Sequence, residues 1–196
     1  MAKSDDDSKT PILPTVDERM QVRTVDAPHP AVMAPDDLLN ECDLRTQRRS
    51  GPGGQHRNKT SSGVFLQHKP TEIVGEATER RSQAHNRVEA LERLRYRLAV
   101  ELRTSSVFDG EASAEEEAIR LAYHNKSLKM NDANPSKPAV LAMLLNDLHA
   151  SGGQPSAVAK EWSVSTSSIV SLLKSHPAAF RLVNQFRAHH GKRALK

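Results

Sequence analysis

Cysteine, aromatic side chains and long apolar runs are scarce in this chain of 196 residues. Each shortage removes a class of protein. A single cysteine, Cys42, excludes an internal disulfide and any multi-cysteine metal site. No motif marks Cys42 as a nucleophile, and a small buried or semi-exposed thiol is expected. His189 and His190 stand together without a third ligand nearby, so neither metal nor cofactor is expected. Aromatic residues make up 4% of the chain, which implies modest, aliphatic cores. No apolar run approaches the roughly 20 residues needed to span a bilayer, so no membrane partner is expected. Residues 1–10 carry Asp5, Asp6 and Asp7 and no apolar stretch. That argues against a secretory signal and against an acid-poor transit peptide, and a cytoplasmic location is expected.

The net charge is +4, but it is unevenly spread. Residues 1–44 carry net −6, residues 45–103 net +7, residues 104–136 net −3 and residues 137–196 net +6. Two basic blocks separated by acidic ones suggest two surfaces for a polyanion rather than merely solvated helix faces. The first block is mostly arginine, the side chain suited to bidentate phosphate contacts.

One run stands apart. Residues 49–59 read Arg49-Ser-Gly-Pro-Gly-Gly-Gln-His-Arg-Asn-Lys59. Gly51, Gly53 and Gly54 permit torsions and close approaches that a Cβ forbids. They suggest a loop that presses its backbone and Gln55 into a crowded pocket. A second Gly-Gly-Gln, at 152–154, lacks these flanks and reads as a helix stop and turn.

The run at 49–59 resembles the GGQ signature of class-I peptide chain release factors and related ribosome-rescue peptidyl-tRNA hydrolases. Residues 78–87, Thr78-Glu-Arg-Arg-Ser-Gln-Ala-His-Asn-Arg87, are similar to a second segment of that family, one that opens a long helix. The resemblance covers about residues 38–103.

The chain reads as an α+β catalytic domain followed by helices. Residues 1–34 are expected to be a disordered acidic segment. Residues 35–105 are expected to form the release-factor-like domain, a small β-sheet packed on a long helix with a projecting glycine loop. Within it, Pro35–Glu41 reads as a short helix, Asp43–Thr46, Val64–His68 and Ile73–Ala77 as strands, and Lys69–Glu72 as a hairpin turn. Glu79–Arg103 reads as the long helix, with Ala84, Val88, Leu91, Leu94 or Arg95, Leu98 and Leu102 as its buried stripe. Arg80, Arg81, Arg87, Arg93 and Arg97 fall mostly off that stripe. Residues 106–137 are expected to be a linker with a short helix at Ala114–Tyr123. Residues 138–191 are expected to form four helices, and 192–196 a basic tail.

Two of those helices, Ser156–Trp162 and Thr166–Lys174, resemble a helix-turn-helix. Ser165 is the expected N-cap, and Ser163 sits where glycine is commoner. The second helix offers Thr166, Ser167, Ser168, Ser171 and Lys174, with no Arg, Asn or Gln for bidentate base contacts. That composition argues against a sequence-specific DNA reader. RNA or protein docking, or a plain helical domain, remain as readings.

The resemblance implies hydrolysis of the ester joining a nascent peptide to tRNA. The backbone amide of Gln55 would stabilise the oxyanion, and loss of one such donor costs on the order of 3 kcal/mol. Its side chain would exclude other nucleophiles, and Gly53 and Gly54 would supply the loop conformation. His56, a positioning or RNA-contact residue in this reading, joins Arg48, Arg49, Ser50, Arg57, Asn58 and Lys59 as RNA contacts. Arg80, Arg81, Gln83 and Arg87 complete the RNA-binding set. N5-methylation of Gln55 by a glutamine methyltransferase is also implied. The implied partners are large-subunit rRNA at the peptidyl transferase centre and the P-site peptidyl-tRNA.

Roughly 44 residues precede the loop, with no candidate stop-codon tripeptide among them. Codon-independent release, as in ribosome rescue, is therefore expected. The alternative is a non-hydrolytic factor that uses the same domain to dock on ribosomal RNA.

Overall fold

The computed structural model describes residues 12–47, 62–110 and 112–196. Helix and sheet are mixed, as an α+β chain requires. Helix α1 (Pro35–Asn40) begins on proline, which suits a first turn, and leads into β2 (Cys42–Gln47). The short strand β1 (Arg23–Thr24) precedes both. Strands β3 (Gly63–His68) and β4 (Val74–Ala77) complete an antiparallel sheet of order β2-β3-β4. The turn between β3 and β4 places Glu72 at φ +59, and the Thr71 amide closes onto the His68 carbonyl.

Helix α2 (Gln83–Glu101) lies on β3 and β4. The two layers approach closely at Gly75, where an added Cβ would stand 2.2 Å from the Ala90 carbonyl and 2.5 Å from Leu94 Cβ. That approach selects the buried stripe of α2: Asn86, Ala90, Leu94, Leu98 and Ala99. The hydrophobic spacing placed Ala84 and Val88 in the stripe, yet both are exposed, Val88 to 68%. The helix also starts at Gln83 rather than Glu79. Ser82 Oγ accepts the His85 amide at 3.3 Å and caps it.

The chain continues through β5 (Leu102–Arg103), α3 (Ala114–Tyr123), α4 (Lys137–Ala150), α5 (Pro155–Glu161), α6 (Thr166–Lys174) and α7 (Pro177–His189). Helix α4 is one of the four helices expected over residues 138–191. Nearly all of α4 is buried, including Asn146 and Asp147, because α2, α3, α5 and α7 all pack on it. A helix packed on every side lies in the middle of the core, and its buried polar groups need partners there. Gly152 and Gly153 turn the chain out of α4 at φ +61 and +69, as the helix stop expected there requires. Ser163 has φ +50 in the α5–α6 turn, and Ser165 Oγ accepts the Ser168 amide at 3.1 Å to cap α6.

The core is continuous. Val64, Leu66 and Ala77 of the sheet, Leu94 and Leu98 of α2, Val140 and Leu144 of α4, and Ile169, Val183 and Phe186 beyond them form one cluster. Two buried polar hubs hold the connections. Asp147 accepts from Trp162 Nε1 at 2.8 Å, from Ser106 Oγ at 2.8 Å and from Arg120 at 3.2 Å. Glu116 accepts from Thr104 Oγ1 at 2.6 Å and from the His29 amide at 2.9 Å.

Residues 12–34, which composition alone assigns to disorder, form a strap against this core. Strand β1 pairs in parallel with β5, and the Val25 amide donates to the Arg103 carbonyl at 2.9 Å. The Met20 carbonyl bonds His149 Nε2 at 2.7 Å, and Arg19 pairs with Asp109 at 2.7 Å. His29 is fully buried, with Nδ1 accepting the Ala31 amide at 3.0 Å and Nε2 donating to the Leu102 carbonyl at 3.2 Å. The strap is held largely through its backbone, and acidic surface residues do not disturb such bonds. Among the described residues, no helix is long and apolar enough to cross a membrane.

Candidate functional site

The glycine-rich segment stands between β2 and β3 in the chain. Its expected catalytic residues, Gly53, Gly54 and Gln55, lie outside the described residues. So do Arg48, Arg49, Ser50, His56, Arg57, Asn58 and Lys59. The structure does define where the loop is rooted. Gln47 and Gly63 face each other as the terminal pair of the β2–β3 ladder. A Cβ on Gly63 would stand 3.1 Å from the Gln47 carbonyl and 3.2 Å from Thr78 Cγ2, so the root is tight.

One side chain ties this root to the start of α2. Asn86 is fully buried. Its Nδ2 donates to the Ser62 carbonyl at 2.6 Å and to the Arg80 carbonyl at 2.9 Å, while Oδ1 accepts the Arg80 amide at 3.0 Å. Three backbone groups on two segments are thereby satisfied by one amide. Such a group is costly to remove, because the buried amide satisfies three part-buried backbone groups that would each lose a bond. Asn86 fixes the descending end of the loop against the turn that carries Arg80 and Arg81.

The loop, its root and the following helix fall inside a single family match. Residues 38–137, just over half of the chain, fit the model of the RF-1 domain. The chain belongs to the RF-1 domain family. It is 49% identical over 70 residues to peptide chain release factor 1 of Acidiphilium cryptum, covering 35% of this chain and 20% of that protein. It is 46% identical over 84 residues to peptide chain release factor 1 of Delftia acidovorans, covering 42% of this chain and 22% of that one. Peptide chain release factor 2 of Burkholderia cenocepacia is 52% identical over 68 residues, 33% of this chain and 18% of that protein. The matched part therefore spans about a fifth of the length of these relatives.

The RF-1 domain match runs past the sequence resemblance, which stopped near residue 103, and takes in α3 up to the start of α4. Residues 12–37 and 138–196 lie beyond it.

Within the RF-1 domain, the arginines off the buried stripe of α2 and in the motif before it divide into two groups. Arg93 donates to Glu79 Oε1 and to the Glu76 carbonyl, both at 2.9 Å. Its hydrogen bond pulls the Glu79 carboxyl down to about 2. Arg97 bonds Glu101 and the Val74 carbonyl, each at 2.7 Å. These two fasten α2 to the sheet. Arg80, Arg81 and Arg87 are exposed and pair with no described carboxylate. Gln83 is also exposed, at the first position of α2. The four expected RNA contacts of this segment are thus surface groups, and three are cations, close in sequence, with no carboxylate partner among the described residues.

Arg95 behaves differently again. It is buried and donates to the Pro135 carbonyl at 2.7 Å and the Ala31 carbonyl at 3.1 Å, which joins α2 to the strap. Cys42 is half-buried, with Sγ 3.1 Å from the Leu38 carbonyl. Burial first, then the neighbouring Glu41 carboxylate, pushes its thiol up to about 11, which keeps it protonated and unreactive near neutral pH. His189 and His190 meet edge-on at 4.9 Å between ring centroids, and His189 Nε2 bonds the Glu18 carbonyl at 3.1 Å.

Asn86 is the residue that sequence reasoning missed. It lies inside the motif at 78–87, yet a polar residue in a helix reads as surface. Its only signal was its place between Arg80 and the hydrophobic positions of α2.

Proposed function

We propose that this chain hydrolyses the peptidyl-tRNA ester on the ribosome, with the loop at 48–61 entering the peptidyl transferase centre. One observation carries the reading: the RF-1 domain match encloses an intact Gly53-Gly54-Gln55 within its full basic flank. Water attacks the ester carbonyl, the Gln55 amide N–H donates to the developing oxyanion, and the tRNA 3′-hydroxyl leaves with a proton. The Gln55 side chain screens out other nucleophiles and is the position for N5-methylation by a glutamine methyltransferase. Gly53 and Gly54 let the backbone reach the ester.

Residues 35–105 are assigned the chemistry. Arg48, Arg49, Ser50, His56, Arg57, Asn58 and Lys59 anchor the loop on rRNA, and Arg80, Arg81, Gln83 and Arg87 extend that contact along the start of α2. The rooting of the loop by Asn86 supports this division, because it couples both sets of contacts to one rigid element. Residues 106–137 join this domain to residues 138–191, which dock the protein. Release is independent of the codon. A cytoplasmic site of action follows from the ribosomal substrate.

The test is peptide release from ribosomes stalled without a stop codon, comparing wild type with Gln55→Ala and Gly54→Ala. Release by wild type, lost in both variants with ribosome binding kept, is the expected result. Binding without release by wild type would make the protein a non-hydrolytic docking factor. Release that required a stop codon in the A site would overturn codon independence alone.

A further inference from the structure

A groove of about 480 Å³ opens outside the RF-1 domain site, between the strap, the end of α2 and α7. Its apolar lining comes from Val22, Val100, Ala178 and Leu182. Its polar lining comes from Gln21 and Arg23 on the strap and Arg181 and Gln185 on α7. Arg23 and Arg181 are exposed and pair with no described carboxylate. Among the described residues the one acidic side chain lining the groove, Glu101, is engaged by Arg97 Nε at 2.7 Å. Arg103 also lines the groove, buried, with its guanidinium on the Ala99 and Val100 carbonyls and no carboxylate partner among the described residues.

The surrounding surface has the same sign. Residues 137–196 hold 8 basic and 2 acidic side chains. Of the two acids, Asp147 is buried on Arg120, which leaves Glu161 as the exposed one.

We infer that this groove binds a single-stranded RNA segment, as a second contact separate from the glycine loop. Guanidinium forks from two elements suit a phosphodiester backbone, and the aliphatic wall between them offers apolar contact area to a base laid across it. Charge alone selects a polyanion; the choice of RNA rests on the ribosomal reading above. Because the core runs unbroken from α2 into α4 and α7, the groove is held at a fixed offset from the loop root.

The test uses the full chain and a fluorescein-labelled 12-nucleotide uridine RNA, titrated over a range of salt. Arg23→Gln/Arg181→Gln is expected to weaken binding about tenfold and to flatten the salt slope by about 1.4, near 0.7 per lost phosphate contact. Lys126→Gln/Lys160→Gln removes the same charge from exposed positions that do not line the groove and is expected to change affinity less than threefold. Equal weakening by both pairs would overturn the inference, since a diffuse field would then explain the binding. Competition by polyglutamate as effective as unlabelled RNA would overturn it in favour of an acidic protein partner. Gln55→Ala is expected to bind this RNA as wild type does. RNA binding at the groove by a wild-type protein that released no peptide would sink the proposed reaction and leave this site standing.

Discussion

Asn86 Nδ2 lies 2.6 Å from the Ser62 carbonyl and binds across 24 residues of chain to the last described residue before β3. The same amide holds both backbone groups of Arg80. Asn86→Ala would orphan three backbone groups and should lower stability by about 1–3 kcal/mol. Asn86→Asp is the sharper variant, because it keeps the acceptor for the Arg80 amide and removes both donors. We expect its peptide-release turnover to fall about tenfold to a hundredfold, with a much smaller change in the ribosome concentration at half-maximal rate. Misplacement of a reacting loop by an ångström costs on that order. Turnover equal to wild type in a folded Asn86→Asp would show that the root does not position the loop.

Gly75 sets the spacing between sheet and helix. Its Cβ would meet the Ala90 carbonyl and the Leu94 amide at 2.2 and 2.6 Å, and both are backbone atoms of α2 that cannot swing aside. Gly75→Ala should cost about 3 kcal/mol, the upper part of the range for overpacked cores. Chemical denaturation would show it as a lower midpoint at unchanged slope. A shift below about 0.5 kcal/mol would mean that β4 and α2 can separate freely.

The helices and the hairpin were largely legible in the sequence because their signals are local. Pro177, Ser165 and Gly191 mark ends, and apolar residues at three/four spacing mark interiors. The register of α2 was not, because the decisive contacts are a missing side chain at Gly75 and a buried amide at Asn86. Hydrophobic patterns register neither. The strap at 12–34 was illegible for a related reason: its hold comes from main-chain bonds such as Val25 to Arg103, which composition does not encode. The glycine loop was the reverse case. Its expected catalytic residues, Gly53, Gly54 and Gln55, were named from the sequence alone, and they lie outside the described residues.

Acid should loosen the strap. Burial, and then the Arg103 charge, hold the His29 imidazole down at about 3, against an ordinary value near 6.5. The unfolded chain therefore binds a proton that the folded chain refuses. Stability from this group is complete above about pH 6.5 and is lost as pH falls from there towards 3, at up to about 1.4 kcal/mol per pH unit. His149 and His176, also lowered by burial, add in the same direction. His29→Asn keeps an acceptor for the Ala31 amide and should make the decline between pH 6 and 4 shallower by about one proton. Urea titrations across that range would measure it, and an unchanged slope would place the acid sensitivity elsewhere.

Trp162, the sole tryptophan of the chain, donates to Asp147, the carboxylate that also receives Arg120 and Ser106. Its fluorescence reports on α4 and α5, while far-ultraviolet circular dichroism is weighted across every helix. Because α2 packs directly on α4 in one core, the two signals should unfold together. Asp147→Ala would leave the Arg120 charge buried without a partner, at about 3–5 kcal/mol, and should move both transitions equally. Separate midpoints for the two probes would show that residues 138–191 fold as an independent unit against the RF-1 domain. The groove would then stand at no fixed distance from the loop.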